Sequence, residues 1–219
     1  MKALLIGATG LVGNQLARQL LLQPELESLH VFTRRPCGIA HEKLVEHLVD
    51  FDRSGQWSHL LTGDVLFSCL GTTLKSAGSK AAQFKVDYSY QLQCAEAAAH
   101  NGVKTLVLVS SAGANPDAKA FYTRMKGELD EAVLRLPFRQ HIILRPSLLL
   151  GKRGEVRNFE AFAQYLAPFV TRYLFKKYRP ITAQTVARAM INACRIENKK
   201  QIFSLDEIFE LAETSPSSK

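Results

Sequence analysis

The chain has 219 residues, enough for one domain with a substantial hydrophobic core. Hydrophobic residues make up 47% of it and charged residues 22%, proportions that exclude a disordered or fibrous protein. The formal net charge of +8 is unevenly placed: residues 1–136 carry +1, residues 137–200 carry +10, and residues 201–219 carry −3.

Short apolar or β-branched runs alternate with longer helical patterns along the chain. The strands are predicted at Lys2–Ile6, Leu29–Thr33, Leu44–Val49, Asp64–Cys69, Lys104–Ser110, Gln140–Arg145 and Gln201–Ser204. The helices are predicted at Leu11–Leu22, Gln83–Asn101, Ala118–Leu136, Phe159–Phe175, Thr182–Arg195 and Leu205–Leu211. This alternation predicts an α/β fold with a doubly wound parallel sheet. We expect a single domain over residues 1–212 and a disordered tail over 213–219.

The cysteines and the apolar runs bear on the cellular compartment. The cysteines are scattered without metal-ligand spacing, at Cys37, Cys69, Cys94 and Cys194. We therefore expect neither a disulfide framework nor a metal site. The apolar run 3–6 is too short for a signal-peptide core, and no run approaches the roughly 18–20 residues of a membrane span. The sequence predicts a cytoplasmic protein without a transmembrane segment.

A glycine-rich turn joins the first predicted strand to the first predicted helix. Glycines there let the backbone approach a pyrophosphate, and the free N–H groups of the helix N-terminus attract it. The alternative is a tight turn with no ligand. The predicted contacts are Gly7, Thr9, Gly10, Leu11, Val12 and Gly13.

The end of the second predicted strand bears on which dinucleotide would bind. A site for NAD(H) usually has a carboxylate there for the ribose 2′-hydroxyl, whereas this strand is followed by Arg34 and Arg35. A guanidinium can hold a 2′-phosphate through two hydrogen bonds. NADP(H) is therefore favoured over NAD(H), unless both arginines are only solvated loop residues.

The fifth predicted strand and the helix after it carry a candidate catalytic set. Tyr122 and Lys126 are four residues apart and share one helix face, where an ammonium can assist proton transfer by a phenol. Ser111 would hold a substrate carbonyl, although Ser110 is an alternative. Tyr122 could instead be an amphipathic residue packed beneath the sheet.

Several segments together resemble one group of atypical short-chain dehydrogenases/reductases. They are G-x-x-G-x-x-G (7–13), FSCLGTT (67–73) with Lys75 and Gly78, VDYSYQLQCAE (86–96), SSAGA (110–114), Y-x-x-x-KGELD (122–130) and LRPSLLLGKR (144–153). The chain is similar to the Tat-interacting oxidoreductase-like family and to small bacterial NAD(P)-binding "nucleoside-diphosphate-sugar epimerase" proteins. The resemblance implies a Rossmann sheet, a small C-terminal helical substrate subdomain over about 145–200, and NADPH.

The resemblance also implies further cofactor contacts. They are Asp50, Phe51, Leu70, Gly71, Thr72, Thr73, Asp87 and Pro146. Asp52, the next residue after Phe51, could be the N-cap of a helix. The wider superfamily usually has Asn where this chain has Asp87, which puts its Asn-linked proton relay in doubt.

The basic segment 137–200 falls where this fold places its substrate and its partners. Arg145, Lys152, Arg153 and Arg157 could attract an anionic small-molecule substrate, or they are solvated. Residues 172–179 mix cations with aromatics and could contact a protein partner, a membrane surface or, without sequence specificity, a nucleic acid, although core packing is the alternative. No motif indicates specific nucleic-acid binding, and the resemblance permits a homodimer.

These features favour an NADP(H)-dependent oxidoreductase that transfers a hydride to or from a carbonyl or alcohol carbon. Two alternatives remain open. One is a redox reader that binds NADPH and signals without catalysis, and the other is a sugar-nucleotide epimerase or dehydratase.

Overall fold

A computed structural model describes residues 1–150, 179–196 and 200–214. Its centre is a sheet of seven parallel strands in the order β3-β2-β1-β4-β5-β6-β9, which confirms the predicted doubly wound sheet. These strands are β1 (Lys2–Ile6), β2 (Ser28–Thr33), β3 (Leu44–Leu48), β4 (Val65–Ser68), β5 (Thr105–Val109), β6 (Gln140–Arg145) and β9 (Ile202–Ser204). A separate parallel pair is formed by β7 (Leu149–Leu150) and β8 (Ile181–Thr182).

Helices cover both faces of the sheet, and for this reason the inner strands are almost continuously apolar. One face packs on α1, α6 and α7, and the other packs on α4 and α5. The helices are α1 (Leu11–Leu21), α2 (Leu74–Ala77), α3 (Lys80–Phe84), α4 (Tyr90–His100), α5 (Phe121–Leu134), α6 (Ala183–Cys194) and α7 (Asp206–Glu213). Two 3₁₀ turns follow β3, at Phe51–Gln56 and Ser58–Leu60.

The predicted helix Gln83–Asn101 is correct in place but not uniform. A π-helical turn, Lys85–Ser89, separates α3 from α4. Such wide turns are rare, and they occur frequently at functional sites. The turn lies near the carboxyl end of the sheet, beside α5.

The described part of the C-terminal stretch completes the sheet. Strand β9 pairs with β6, and α6 packs against α1 on one face. Helix α7 reaches Glu213, which places the first residue of the predicted disordered tail inside a helix. The predicted helix 159–175 and most of the expected substrate subdomain lie outside the described residues.

The strand order changes direction between β1 and β4, and a crevice opens beyond the carboxyl ends of strands at such a point. Ile6, the last residue of β1, is level with Phe32 on one side and with Ser68 on the other. The segments that follow the strands therefore lie side by side, and these segments carry the predicted site residues.

Candidate active site

The turn after β1 folds tightly because its glycines leave no room for side chains. Gly7 has a φ of +88°, and a Cβ there would lie 2.4 Å from the Cys69 carbonyl. A Cβ on Gly13 would lie 2.2 Å from the Gly7 oxygen. The Gly10 N–H donates to the same oxygen at 2.9 Å. The start of α1 can therefore sit directly over the turn.

The N-terminus of α1 has free hydrogen-bond donors. Gly10 is the N-cap residue and supplies no side chain, and the Asn14 N–H donates to the Gly10 oxygen at 3.0 Å. The N–H groups of residues 11–13 precede that hydrogen bond and have no acceptor among the described residues, so they can bind a ligand at the positive end of the helix. This arrangement fits the diphosphate of a dinucleotide. Thr9 is half-buried in the same turn.

Arg34 and Arg35 follow β2 and are exposed. The Thr33 hydroxyl donates to the Arg35 oxygen at 2.8 Å, which fixes the backbone of this turn. Neither guanidinium has an ion-pair partner in the part of the chain that the structure describes. The turn lies next to the glycine loop because β2 is adjacent to β1.

The residues after β3 are bound mostly to the protein itself. The Asp50 carboxylate accepts from the Asp52 N–H at 3.0 Å, so Asp50 and not Asp52 caps the 3₁₀ turn. The Phe51 ring is buried against Trp57 and Tyr90, at centroid distances of 5.3 and 5.2 Å. The Phe51 ring is therefore part of the core, and only the backbone of this residue could contact a nucleotide.

The loop after β4 passes close to α2 and the π-helical turn. Leu70 is half-buried and Gly71 is exposed. The Thr72 N–H donates to an Asp87 carboxylate oxygen at 2.7 Å, and the Thr73 hydroxyl accepts from the Ser76 N–H at 3.1 Å. The Thr73 hydroxyl, predicted to contact the cofactor, therefore caps α2.

Asp87 is 1% exposed and lies at the centre of the candidate site. Its Oδ2 atom accepts from the Thr72 N–H, and its Oδ1 atom lies 3.2 Å from the Lys126 ammonium. Asp87 was predicted to contact the cofactor, but both of its carboxylate oxygens are bonded to the protein itself.

Lys126 faces Asp87 from the middle of α5 and is also buried. Burial of the ammonium lowers its pKa, but the attraction of Asp87, followed by that of Tyr122, outweighs burial and raises the pKa of Lys126 above 10.5. Lys126 therefore remains charged at neutral pH. Tyr122 lies one helical turn earlier on the same face and is half-buried.

Asp130 extends the face of α5 that carries Tyr122 and Lys126. Its Oδ2 atom accepts from Arg145 Nε at 2.8 Å, and its side chain is 1% exposed. Burial raises the pKa of Asp130, although Ser110 and Arg145 oppose this shift. The Ser110 hydroxyl lies near this carboxylate without a well-formed hydrogen bond, and Ser110 Oγ and Asp130 Oδ1 have no hydrogen-bond partner within the described ranges.

The two candidate serines are in different surroundings. The Ser111 hydroxyl donates to the Ala112 oxygen at 3.3 Å, and the Ala112 N–H donates to the Pro146 oxygen at 2.9 Å. Pro146 therefore holds the serine turn through its carbonyl. Ser110 belongs to the neighbourhood of Asp130, whereas the Ser111 hydroxyl bonds within its own turn, and both serines are buried.

Sequence reasoning missed Gly127 and Asp130. A Cβ on Gly127 would lie 2.2 Å from the Asn115 carbonyl carbon and 2.3 Å from the Pro116 nitrogen. The loop that follows Ser111 consequently lies directly on α5. The four-residue spacing of Asp130 from Lys126 could have indicated that both lie on one helix face. The contact of Gly127 could not be predicted, because no local pattern connects α5 with the loop of Asn115 and Pro116.

The cysteines and the possible metal ligands offer no other chemistry in the described residues. Burial raises the pKa of the Cys194 thiol to about 12 and also raises that of Cys69 and Cys94. No group of three potential metal ligands is found among the residues that the structure describes. No helix within those ranges is long and apolar enough to span a membrane.

Comparison with curated proteins finds close relatives. "Protein FMP52, mitochondrial" of Saccharomyces cerevisiae is 41% identical over 190 residues, which is 85% of this chain and 82% of the yeast protein. The Candida albicans protein of the same name is 32% identical over 225 residues, covering 97% of this chain and 98% of that protein. These mitochondrial names overturn the prediction of a cytoplasmic protein, which depended on the scattered cysteines and on the lack of a recognisable signal or membrane span.

Solved structures share the fold at low sequence identity. MoeE5 in complex with UDP-glucose and NAD has a TM-score of 0.70 at 15% identity, covering 97% of this chain and 81% of that one. A UDP-glucose 4-epimerase from Thermotoga maritima with UDP-glucose has a TM-score of 0.69 at 15% identity, covering 99% and 84%. Residues 3–174 match the NAD dependent epimerase/dehydratase family, which confirms the predicted resemblance. The chain belongs to the NAD dependent epimerase/dehydratase family.

Proposed function

We propose that the protein is an NADP(H)-dependent oxidoreductase of the short-chain dehydrogenase/reductase type, acting on a small anionic carbonyl or alcohol compound. The observation that carries this proposal is the face of α5, where Lys126 is buried and charged against Asp87 and Tyr122 lies one turn away. A charged lysine beside a tyrosine at the carboxyl edge of the sheet supports proton transfer at a substrate oxygen.

The cofactor would lie across the crevice from the glycine turn to the serine turn, and it would supply or accept the hydride. The N–H groups of residues 11–13 would hold its diphosphate. Arg34 and Arg35 would hold the 2′-phosphate, and the backbone near Phe51 would border the adenine. The remaining proposed contacts are Gly7, Thr9, Gly10, Asp50, Leu70, Gly71, Thr72, Thr73 and Pro146.

The protein residues would handle the proton and the substrate oxygen. Ser111 would donate a hydrogen bond to the carbonyl oxygen, and Tyr122 would give the proton to that oxygen or take it back. Lys126 would keep its charge beside Tyr122. The anionic substrate class is supported by the net charge of +10 in residues 137–200, of which Lys152, Arg153 and Arg157 lie outside the described residues.

Fluorescence titration with NADPH and NADH tests the cofactor preference. A hydrogen bond to a charged group contributes about 1.5–3 kcal/mol. Arg34→Ala should therefore weaken NADPH binding by roughly tenfold to a hundredfold, with little effect on NADH. Arg135→Ala removes a similarly exposed arginine from the far end of α5 and is the matched control. Equal loss of both cofactors in Arg34→Ala would contradict the 2′-phosphate role.

A screen of carbonyl and alcohol substrates tests catalysis. Tyr122→Phe should lower kcat by about 10²–10⁴-fold and leave NADPH binding intact. Tyr88→Phe is the matched control, because it removes the same phenol hydroxyl from a ring that stacks on Phe84 at a centroid distance of 4.6 Å. A protein that binds NADPH, shows no turnover and keeps its cellular role in Tyr122→Phe would favour the redox-reader alternative.

A sugar-nucleotide epimerase is a second candidate, supported by the family match and by the UDP-glucose in both structural neighbours. It predicts that the purified protein retains NAD and interconverts UDP-sugars without net oxidation. Mass spectrometry of the retained cofactor, followed by incubation with UDP-glucose, separates the two functions. The basic charge of residues 150–200 also supports a surface for a protein partner, and the family resemblance supports a homodimer.

A further inference from the structure

Asp87 connects two parts of the candidate site that the chain itself does not join. Its Oδ2 atom accepts from the Thr72 N–H at 2.7 Å, and its Oδ1 atom lies 3.2 Å from Lys126 Nζ. We propose that Asp87 is a positioning residue whose two oxygens couple the cofactor loop 70–73 to Lys126. This inference rests on the proposed function and adds a role that a cofactor contact would not have.

The two partners explain why a carboxylate stands at this position. Both the Thr72 N–H and the Lys126 ammonium are donors, so the residue between them must accept twice. A carboxylate has two acceptor oxygens, whereas an Asn side chain has one acceptor oxygen and one donor NH₂ group. An Asn at position 87 would therefore satisfy one partner and set its NH₂ group against the other.

The surrounding hydrogen bonds hold this connection in place. The Gln91 side chain donates to the Asp87 peptide oxygen at 2.7 Å and accepts from the Ser68 hydroxyl at 2.7 Å. The Gln83 side chain donates to the Thr72 oxygen at 3.2 Å. The π-helical turn and the helices on either side of it are thus tied to the segment that ends β4. The Thr72 N–H is bonded to that turn through Asp87, and the Thr72 oxygen is bonded to α3 through Gln83.

Coupling of this kind works in both directions. A ligand that fixes the loop 70–73 also fixes the carboxylate that pairs with Lys126, and a change at Lys126 alters the loop. The effect of one site on the other is reciprocal in free energy. Within the described part of the chain, the titratable and charged groups that face Lys126 are Asp87 on the π-helical turn and Tyr122 and Asp130 on α5, with Arg145 of β6 behind Asp130.

A double-mutant cycle with Asp87→Asn and Lys126→Met tests the coupling, with the dissociation constant for NADPH as the readout. Asp87→Asn should weaken binding about tenfold, the factor that corresponds to one hydrogen bond to a charged group. In the Lys126→Met background the same change should instead strengthen binding, because it removes a carboxylate buried without its cation and the Asn oxygen can accept from Thr72 without a second donor opposite. A role limited to local stability would give the same factor in both backgrounds.

Asp64→Asn is the matched control. Asp64 also accepts from a backbone N–H, that of Lys2 at 2.7 Å, but it precedes β4 and lies at the opposite end of the sheet. The Asp64→Asn protein should bind NADPH as tightly as the wild type does. If Asp87→Asn does not fold, the double variant should still bind NADPH more tightly than Lys126→Met, which leaves Asp87 buried without its cation.

The proposal is overturned if Asp87→Asn binds NADPH like the wild type, if it loses the same factor in both backgrounds, or if the double variant binds no better than Lys126→Met. If the wild type binds neither NADPH nor NADH, the proposed function is wrong, and the binding cycle does not test Asp87. Hydrogen exchange then tests the contact between Asp87 and Thr72 without any ligand. The Thr72 amide should exchange about tenfold faster in Asp87→Asn than in the wild type, and unchanged exchange would refute this contact.

Discussion

Gly127→Ala should destabilise the protein, although alanine is the better helix former. Replacing a glycine inside a helix usually gains about 1 kcal/mol. Here the added Cβ would lie 2.2 and 2.3 Å from backbone atoms of Asn115 and Pro116, whereas ordinary contact begins at 3.4 Å. Overpacking costs about 1–3 kcal/mol, and the upper end applies because neither backbone atom can rotate away.

The expected net loss is about 2 kcal/mol, which lowers the Tm by roughly 4–8 °C in a chain of this size. Thermal unfolding followed by circular dichroism, with urea denaturation alongside, measures it. Gly55→Ala is the matched control, because a Cβ there meets nothing within 4 Å, and its stability should change by less than about 0.5 kcal/mol. A Gly127→Ala protein as stable as the wild type would refute the close approach of α5 to the loop after Ser111.

Three further changes test the packing around the site and the edges of the sheet. Asp130→Ala leaves the Arg145 guanidinium, which is 23% exposed, without its carboxylate and should cost about 3 kcal/mol in urea denaturation. Burial lowers the pKa of His30 and His47 below 6.5, so the unfolded chain binds their protons more readily. Stability should therefore fall as the pH drops below about 6.5, and His47→Phe should reduce that fall in the Tm. Asn192 donates from its amide to two carbonyls near the end of α7, at 2.9 Å each, and Asn192→Leu should cost about 1–3 kcal/mol.

Each of these expectations has an outcome that contradicts it. A loss below about 1 kcal/mol in Asp130→Ala would mean that Arg145 finds another partner. The histidine interpretation fails if His47→Phe and the wild type lose the same Tm between pH 7.5 and 5.0. An Asn192→Leu protein with wild-type stability would show that water replaces the amide at the end of α7.

The elements that local patterns control could be predicted from the sequence. Strands β1 and β6 match their predicted bounds because each has an apolar centre, Ala3–Ile6 in β1 and Ile142–Leu144 in β6, that is covered on two faces of the sheet. The glycine loop could also be predicted, since its contacts lie within a few residues or at the end of the adjacent strand. The parallel order of the strands then follows from the helical crossovers between them.

The contacts within the site could not be predicted in the same way. Asp87 was assigned to the cofactor from its place in a motif, but its partners lie 15 and 39 residues away in the chain, at Thr72 and Lys126. Phe51 has the place of a nucleotide contact, yet its ring is buried because Trp57 and Tyr90 pack on it. Motif spacing gives the position of a residue along the chain, and burial decides which partners it meets.

The two ion pairs of α5 fix the orientation of the helix face that carries Tyr122, Lys126 and Asp130. Lys126 pairs with a carboxylate on the β4 side of the helix, and Asp130 pairs with a guanidinium at the end of β6. The helix thus presents a positive group and then a negative one to two neighbours of opposite charge. A rotation or a shift along its axis would separate both pairs and leave buried charges unpaired, which costs several kcal/mol for each pair. Tyr122 lies on the same face, one turn before Lys126, so any such rotation or shift would displace Tyr122 as well.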